Sequence, residues 1–305
     1  MTVELANIGA GPAGMAAATL ADELGLQTVQ IDDQGSPGGQ IYRAIERAEP
    51  GTPLGSDYLA GRPLAAALKT SRVDYRPGTT LWHVDREGAL FLETAGRTET
   101  LTARRILLAT DALERPVPIP GWTLSGVMTA GAAQILLKSS DLVPEGRVAL
   151  AGQGPLLYLV AGQLARAGAS PVALFETAPL VENYLRVTRH PAGLWAGRRL
   201  LVKGLGLISA VKRAGVPIRR RVRGLRAVGR RRLERVAWEG GELAADYLLL
   251  HEGIIPNIQV SLALQLWHQW DEGQLCWRPP GGRRVSPTLP SRVMAEVSRA
   301  SRLRC

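Results

Sequence analysis

Three glycines near the start of the chain, followed by an aspartate, have the spacing of a phosphate-binding turn. Gly9, Gly11 and Gly14 form a Gly-x-Gly-x-x-Gly pattern, and Asp32 follows 18 residues after the third glycine. The first glycine permits a tight turn, the second lets the backbone approach a pyrophosphate, and the third lets a helix pack closely on a strand. Because the carboxylate can accept hydrogen bonds from a ribose, the pattern predicts a dinucleotide site. The alternative is a plain buried strand–helix–strand unit.

The elements around these residues suit that site. The apolar run Val3–Ile8 predicts a strand that ends at the turn, and Met15–Leu24 is an alanine-rich helical segment. Pro12 and Ala13 complete the turn, so the free N–H groups of the helix N-terminus would face the phosphates. A second apolar run ends at Asp32, as the ribose role requires.

A second unit of the same kind begins near residue 147. An apolar strand leads into Gly152 and Gly154, a helix is predicted over Leu156–Ala167, and the next strand ends at Glu176. Leu157 stands where a third glycine is expected and would push the helix away from the strand, so nucleotide binding here is left open. If the site binds, Glu176 should accept a free 2′-hydroxyl and repel a 2′-phosphate, which favours NAD or another adenosine nucleotide over NADP.

Positive charge is concentrated in two segments of the chain, residues 186–235 and residues 278–305, and the second holds seven Arg against Glu296 alone. The net charge is +10 over 305 residues, and residues 186–235 hold 16 Lys and Arg against Glu234 alone. No aromatic residues alternate with these arginines as in a single-strand binder, so no nucleic-acid partner is predicted. The segment 186–235 is interpreted either as a solvated basic face or as a docking face for an acidic partner subunit.

The sequence does not predict a membrane protein, a disulfide framework or a metal site. No apolar run has the length of a membrane span, and the first strand begins at once, which predicts a soluble cytoplasmic protein. Cys276 and Cys305 form neither a disulfide framework nor a metal set. His251 and His268 are predicted to be packed histidines and Cys276 a buried thiol. None of these residues is predicted to be catalytic.

The remaining pattern predicts an α/β protein with two Rossmann-like dinucleotide-binding domains. Residues 59–71 and Leu194–Ala214 are predicted helices, and Pro116, Pro118 and Pro120 a connector. The further predicted strands are Thr79–Asp85, Leu90–Thr94, Thr98–Leu101, Ile106–Thr110, Val216–Ala227, Leu233–Trp238 and Tyr247–His251.

These landmarks together resemble the two-dinucleotide-fold flavoproteins of the pyridine nucleotide–disulfide oxidoreductase type. Gly9–Gly14 with Asp32 resembles the FAD adenosine site, Leu107–Thr110 the second FAD motif, and Gly253–Asn257 the return crossing. The resemblance implies FAD as cofactor. It also implies cofactor contacts from Ala109 and Thr110 and from the loop residues Gly38, Gly39, Gln40 and Arg43.

The implied organisation has four parts. Residues 1–120 form the first segment of an FAD domain, 121–252 an inserted NAD(P)-type domain, 253–279 the return to the FAD domain, and 280–305 an atypical basic tail.

A finer resemblance concerns one branch of the family. The blocks Pro37–Arg43, Glu114–Trp122, Gly126–Gln134, Trp267–Asp271 and Gln274–Pro279 resemble the FAD-containing subunit of heteromeric opine oxidases, hydrogen cyanide synthase and related amino-acid dehydrogenases. In that branch a second flavoprotein subunit oxidises the C–N bond. The FAD-containing subunit handles electrons, often beside a [2Fe–2S] centre supplied by further sequence. The alternatives are a stand-alone NADH-dependent flavin reductase and an inactive truncated product.

Three departures from the family pattern stand out. No redox cysteine pair exists, which excludes disulfide reduction. Asp111 replaces the glycine of the Ala-Thr-Gly motif, and its carboxylate and its side chain would disfavour nearby phosphates and a tight turn. After Pro279 neither the Gly-Asp motif nor a strand and helix is recognised, so the C-terminal part of the FAD domain is predicted to be missing through a lost reading frame. The alternative is a short variant with a basic tail.

Overall fold

A computed structural model describes residues 2–85, 87–178, 191–279 and 293–295, with the backbone alone for 191–197, 199–201 and 293–295. The chain divides into two compact units. Unit 1 consists of the chain up to Leu113 and its described part from Ile254 onward, and unit 2 is Glu114–Gly253.

The elements are numbered in chain order. The strands are β1 (Thr2–Ile8), β2 (Thr28–Ile31), β3 (Asp74–Arg76), β4 (Thr79–Val84), β5 (Ala89–Thr94), β6 (Arg97–Leu108), β7 (Ala112–Glu114), β8 (Val127–Thr129), β9 (Arg147–Gly152), β10 (Ser170–Glu176), β11 (Ile218–Arg219), β12 (Arg226–Val228), β13 (Arg235–Trp238), β14 (Gly241–Ala244), β15 (Tyr247–His251), β16 (Ile254–Pro256), β17 (Gln269–Asp271), β18 (Cys276–Arg278) and β19 (Val293–Ala295). The helices are α1 (Pro12–Glu23), α2 (Ser56–Leu59), α3 (Arg62–Thr70), α4 (Ala130–Ser140), α5 (Pro155–Arg166), α6 (Pro191–Arg213) and α7 (Gln259–Ala263).

Unit 1 is built on a parallel sheet in the order β3-β2-β1-β6. The strands β1 and β2 are almost completely buried, as is usual in a parallel sheet whose two faces are covered. Ile8 pairs with Ile31 of β2 and with Leu108 of β6, so the three strands end at the same level. This register puts the residues that follow each strand at one edge, where ligands bind in open α/β sheets.

The strand β6 is longer than the sequence pattern indicated. Thr98–Leu101 and Ile106–Thr110 were predicted as two strands, but one strand runs without a break from Arg97 to Leu108. Its first half pairs with β5 in the β4-β5-β6 meander and its second half pairs with β1. One strand therefore serves both partners, and Thr110 lies beyond its end.

The expectation that no strand follows Pro279 is wrong. The three-residue strand β19 pairs in parallel with Ile106–Leu108 of β6. That stretch of β6 is accessible on this side because β5 covers only Arg97–Thr102. A run of three residues carries too little periodicity to be recognised. The predicted loss of the reading frame stays a prediction.

Residues 59–71 form two helices instead of one. The helix α2 ends at Leu59 and α3 begins at Arg62, with Pro63 in its first turn. Proline is tolerated in a first turn but not in a helix interior, so the break is at the position that the proline requires. Gly61 between the two helices packs on the ring of Tyr42, where an added Cβ would lie 2.3 Å from Cγ.

Unit 2 repeats the parallel architecture in the order β11-β10-β9-β15-β8. The helix α5 connects β9 to β10, as predicted. Val216–Ala227 was predicted as a single strand, but it splits into β11 of this sheet and β12 of the antiparallel sheet β12-β13-β14. The buried apolar core of the unit lies between the two sheets and includes Phe175, which packs on Trp238 with 4.9 Å between ring centroids.

Two short pairs complete the described structure. The strands β7 and β16 pair with each other, and β17 and β18 form an antiparallel hairpin. The Asp271 carboxylate binds Arg278 across this hairpin, and Trp270 meets Trp277 edge to face at 5.5 Å. Within the described residues, no helix has both the length and the apolar character that a membrane span needs.

Candidate nucleotide site

The glycine turn after β1 is fixed by backbone contacts. Gly9 has a φ of +102°, and an added Cβ would lie 2.3 Å from the Ala109 carbonyl oxygen. An added Cβ on Gly14 would lie 1.8 Å from the carbonyl oxygen of Gly9. Both glycines are therefore required sterically, as predicted, because each one lets two backbone segments touch.

Gly11 differs from these two glycines. It has a φ of −68°, which any residue adopts, and an added Cβ would meet only a carboxylate oxygen of Asp111 at 3.8 Å. Gly11 is thus not needed for the fold of the turn. The space in front of it is what a pyrophosphate approaching the backbone would use.

The N-terminus of α1 opens onto this space. Gly11 is the N-cap residue, Pro12 takes the first helical position, and no described side chain caps the helix. The N–H groups of Ala13 and Gly14 belong to the first turn, where helices lack internal partners. With no acidic residue in that turn, the helix dipole favours an anion there.

The loop that holds the predicted flavin-side residues lies against the turn. Gly38 donates its N–H to the Ala10 carbonyl oxygen at 2.8 Å. An added Cβ on Gly39, which has a φ of +57°, would lie 2.9 Å from the Cα of Gly11. The structure therefore brings together the two glycine motifs of unit 1.

Asp32 is buried at the end of β2. One carboxylate oxygen accepts the N–H of Ala10 in the turn, and the other accepts the N–H of Gln34 at 2.7 Å. Burial raises the pKa of Asp32, and the two backbone hydrogen bonds oppose that rise. The carboxylate thus lies beside the turn, as the ribose role needs, and it also holds the turn in place.

Gln40 and Arg43 bind each other and the rest of their loop. The Arg43 guanidinium donates to the side-chain oxygens of Gln34 and, at 3.2 Å, of Gln40. The Tyr58 hydroxyl donates to the Arg43 carbonyl oxygen. These contacts fix the loop that was predicted to face the flavin ring.

Ala109 and Thr110 follow β6 and are held by a distant residue. Asn257 donates its amide to the Thr110 carbonyl oxygen at 3.3 Å, and the Thr110 hydroxyl donates to the Asn257 carbonyl oxygen at 3.3 Å. The N–H of Asn257 donates to the Asp111 carbonyl oxygen at 3.1 Å. The return segment therefore holds the chain that follows β6, and Asn257 is the residue that does so.

Asn7 and Gln30 were not singled out from the sequence, yet they form a fully buried pair beneath the turn. The Asn7 amide donates to Gln30 Oε1 and to the Gly14 carbonyl oxygen, both at 2.7 Å. This links β1 to β2 and to α1. The sequence signal that could have revealed this pair is a polar residue inside each of two apolar strands.

The predicted residues Gly152, Gly154 and Glu176 lie in unit 2. Gly152 has a φ of +135°, and an added Cβ would lie 1.8 Å from the His251 carbonyl oxygen. Gly154 is the N-cap of α5 and has a φ of +87°. Leu157, in the place of a third glycine, is completely buried in the unit.

Glu176 has internal partners that the sequence did not reveal. Its Oε1 accepts the Tyr158 hydroxyl, and its Oε2 lies 3.2 Å from Nε of Arg220 without a well-aligned hydrogen bond. The carboxylate is buried, whereas the Arg220 side chain is more than half exposed. Because the guanidinium offsets the negative charge, the expected repulsion of a 2′-phosphate is weakened.

His251 and His268 each pair with a polar side chain. His251 is buried, and its Nδ1 lies 2.5 Å from Oε1 of Glu114, whose Oε2 accepts the Gly131 N–H at 2.8 Å. His268 pairs with the Ser261 hydroxyl at 2.9 Å, and burial lowers its pKa.

Cys276 is buried. In the parts of the chain that the structure describes, no group of three or more potential metal ligands was found.

Residues 4–273 match the pyridine nucleotide-disulphide oxidoreductase family. The chain therefore belongs to this family, which confirms the predicted family.

Two named relatives are subunits of larger enzymes. The chain is 40% identical over 292 residues to an opine oxidase subunit from Agrobacterium tumefaciens, covering 90% of this chain and 57% of that protein. It is 32% identical over 289 residues to the hydrogen cyanide synthase subunit HcnB from Pseudomonas aeruginosa, covering 88% of this chain and 61% of that protein. The chain thus spans less than two thirds of the length of these relatives.

Solved structures share the fold. L-proline dehydrogenase from P. horikoshii superposes with a TM-score of 0.65 at 17% identity, over 97% of this chain and 50% of that one. Thioredoxin reductase from T. acidophilum gives a TM-score of 0.64 at 16% identity, over 96% of this chain and 89% of that one. At these identities the likeness establishes the fold alone.

The residues of unit 1 fit FAD at most points of contact. Three features match the needs of a pyrophosphate and a ribose. They are the steric freedom at Gly11, the N-terminus of α1 with no described side-chain cap, and the buried Asp32. One residue fits poorly. The Asp111 carboxylate lies beside Gly11 and Gly39 and accepts the Gln40 N–H at 3.2 Å.

Proposed function

We propose that unit 1 binds FAD across the Gly9–Gly14 turn and the Gly38–Arg43 loop. The observation that carries the proposal is the contact between these two motifs, with Gly39 against the backbone of Gly11. The Gly11 backbone and the Ala13 and Gly14 N–H groups would hold the pyrophosphate.

In this assignment the remaining predicted residues surround the cofactor. Asp32 would accept from the ribose. Ala109 and Thr110 would line the cofactor beside the turn, and Gln40 and Arg43 would approach the flavin. When bound, FAD supplies the redox chemistry, whereas the protein binds and orients it.

We further propose that the chain is the electron-handling subunit of a heteromeric amino-acid or opine dehydrogenase. Two relatives are named as subunits of opine oxidase and of hydrogen cyanide synthase, which supports a second flavoprotein subunit that oxidises the substrate. In the described residues no cysteine pair suited to disulfide reduction accompanies the loop at Gly38.

A surface on unit 2 suits such a partner. We define the basic surface as the exposed arginines of the segment 219–232, which are Arg219, Arg220, Arg221, Arg223, Arg226, Arg230, Arg231 and Arg232. A concentration of one charge sign accelerates association with a surface of opposite charge. We propose that the partner subunit presents an acidic face to it.

A second candidate is a stand-alone NADH-dependent flavin reductase. It is favoured by the turn of unit 2, where Gly152 adopts the conformation and close backbone contact of a nucleotide-binding turn. The internal partners of Glu176 weigh against it, because the Tyr158 hydroxyl already uses one carboxylate oxygen and the Arg220 guanidinium lies beside the other.

FAD binding is tested by the visible absorption spectrum of the full chain after incubation with FAD and removal of the excess. We expect a retained flavin band for the native sequence. Gly11→Val fills the space in front of the turn at a φ that valine tolerates, so it should lose the band. Its urea midpoint should fall only slightly, because valine is a weaker N-cap than glycine. Gly35→Ala, at an exposed glycine with no atom within 4 Å of an added Cβ, is the matched control.

Anaerobic addition of NADH distinguishes the two candidates. An electron-handling subunit should keep its flavin band, whereas a flavin reductase should bleach it. A folded chain that retains no flavin, with Gly11→Val indistinguishable from the native sequence, would contradict the proposed FAD site.

A further inference from the structure

Asp111 has an unusual backbone conformation. Its φ is +65°, in the left-handed region that non-glycine residues rarely adopt, although aspartate is among those that tolerate it. The N–H of Asn257 donates to the Asp111 carbonyl oxygen at 3.1 Å and helps to hold this conformation. The left-handed turn directs the chain beyond β6 and fixes where the Asp111 side chain can lie.

The carboxylate of Asp111 lies within the glycine cradle. Its Oδ2 accepts the N–H of Gln40 at 3.2 Å. The same oxygen is 3.1 Å from the position of a Cβ added to Gly39 and 3.8 Å from that of a Cβ added to Gly11. The space that the two glycines leave free is therefore partly filled by a negative charge from the protein itself.

We propose that Asp111 is an internal competitor for the pyrophosphate of FAD and sets the affinity of this chain for the flavin. The inference rests on the proposed FAD site. Like charges in a shared site disfavour each other, and in a partly buried position they are screened less than in water. The carboxylate also uses the Gln40 N–H, which a phosphate oxygen would otherwise accept.

The test is an equilibrium titration of the full chain with FAD, followed by flavin fluorescence. Asp111→Gly removes the carboxylate and suits a φ of +65°, so we expect the dissociation constant to fall at least about tenfold. Asp111→Asn keeps the shape and removes the charge, so its dissociation constant should lie between those of the native chain and Asp111→Gly. The difference between native chain and Asp111→Asn should narrow as salt is raised, since salt screens the repulsion.

Glu23→Gln is the matched control. It removes one exposed negative charge from the same unit at the far end of α1, on the order of 15 Å from the turn. We expect its FAD affinity to stay within about twofold of the native value, well below the tenfold effect expected at the cradle. An equal gain in Glu23→Gln and Asp111→Asn would overturn the proposal, because the effect would then reflect net charge.

Two other results would overturn it in distinguishable ways. If the native chain and Asp111→Gly bind FAD with equal affinity, Asp111 does not compete and the proposed FAD site stands. If both are folded by circular dichroism and neither binds FAD, the competitor role and the proposed FAD site fail together.

Discussion

Single backbone oxygens decide which glycines of the first turn can be replaced. The carbonyl oxygen of Gly9 lies where a Cβ on Gly14 would be, and the carbonyl oxygen of Ala109 lies where a Cβ on Gly9 would be. A backbone atom cannot rotate away as a side chain can. The clash with an added Cβ can therefore be relieved only if the helix or the strand moves. No backbone atom lies close to a Cβ on Gly11. Gly9 and Gly14 are therefore needed for folding, whereas Gly11 is needed only if a ligand approaches the turn.

Gly14→Ala should therefore destabilise the protein without any loss of polar contacts. We expect the free energy of unfolding to fall by about 1–3 kcal/mol, the usual cost of forcing extra atoms into a packed site. Urea unfolding followed by circular dichroism measures this change. Gly35→Ala should stay within about 0.5 kcal/mol of the native value. Equal midpoints for the two variants would contradict the steric explanation of Gly14.

Asp32 links stability to pH. Burial raises its pKa above 3.8, so the folded chain retains a proton at pH values where the unfolded chain has already released it. The contribution of Asp32 to the free energy of unfolding is therefore largest below pH 3.8 and decreases as pH rises through the folded pKa. We expect Asp32→Asn to lack this decrease in urea unfolding measured from about pH 3 to about pH 7.

Glu23→Gln, at an exposed carboxyl in the same unit, should keep the native decrease. If Asp32→Asn instead shows the same pH dependence as the native chain, the carboxyl of Asp32 is not the titrating group.

Much of the candidate site could be predicted from the sequence because its residues follow strands that end at one level. The polar details could not. Asn7 and Gln30 pair only because β1 and β2 are adjacent in register, with Asn7 opposite Gln30. The partners of Glu176 are Tyr158 in α5 and Arg220 in the loop after β11. No fixed sequence spacing relates either residue to Glu176, so the sequence could not reveal them.

At the scale of elements, Glu114 joins three parts of unit 2. It ends β7 just before the connector, accepts the Gly131 N–H in the first turn of α4, and pairs with His251 at the end of β15. Its carboxylate and the imidazole are both largely buried, so removing one partner leaves the other without its hydrogen bond.

Glu114→Ala should consequently cost about 3–5 kcal/mol, the usual loss when one partner of a buried pair is removed. Glu114→Gln keeps an acceptor for the Gly131 N–H, so it should cost less. Thermal unfolding of both variants provides the measurement. Glu145→Ala, at an exposed glutamate of the same unit, is the control and should stay near the native value. A Glu114→Ala variant as stable as that control would show that the pair is dispensable.

Elements with a long, clear period were predicted well, and short ones were not. The strand–helix–strand units around α1 and α5 follow the predicted order because each has an apolar strand, a glycine turn and a full helix. The strand β14 was missed, since Gly241–Ala244 is mostly exposed and depends on β13 for its hydrogen bonds. The division of Val216–Ala227 between two sheets is likewise set by tertiary pairing.

At the scale of the whole molecule, charge is distributed unevenly between the units. The basic surface belongs entirely to unit 2, whereas the candidate FAD site belongs to unit 1. A change in the surface arginines should therefore leave flavin content unaltered, and this separates partner binding from cofactor binding.

Arg230→Glu with Arg231→Glu should weaken binding of the partner subunit by about tenfold or more, because two charges change sign on the proposed docking face. The measurement is co-elution of the co-expressed subunits over a range of salt concentrations, with flavin content as the second readout. Arg97→Glu with Arg104→Glu, at exposed arginines of unit 1, makes the same charge change elsewhere and should have little effect. Equal weakening by the two double variants would contradict a localised docking face.

The hydrogen bonds between Thr110 and Asn257 affect the order in which the two units can fold during synthesis. These two residues are 147 positions apart, and the whole of unit 2 is translated between them. A growing chain therefore completes unit 2 at Gly253 before Asn257 exists to hold the end of β6. If the inserted unit folds at that moment, it shortens the effective loop that must later close, and loop closure becomes less costly in entropy. The segment translated first would then be among the last to reach its final form.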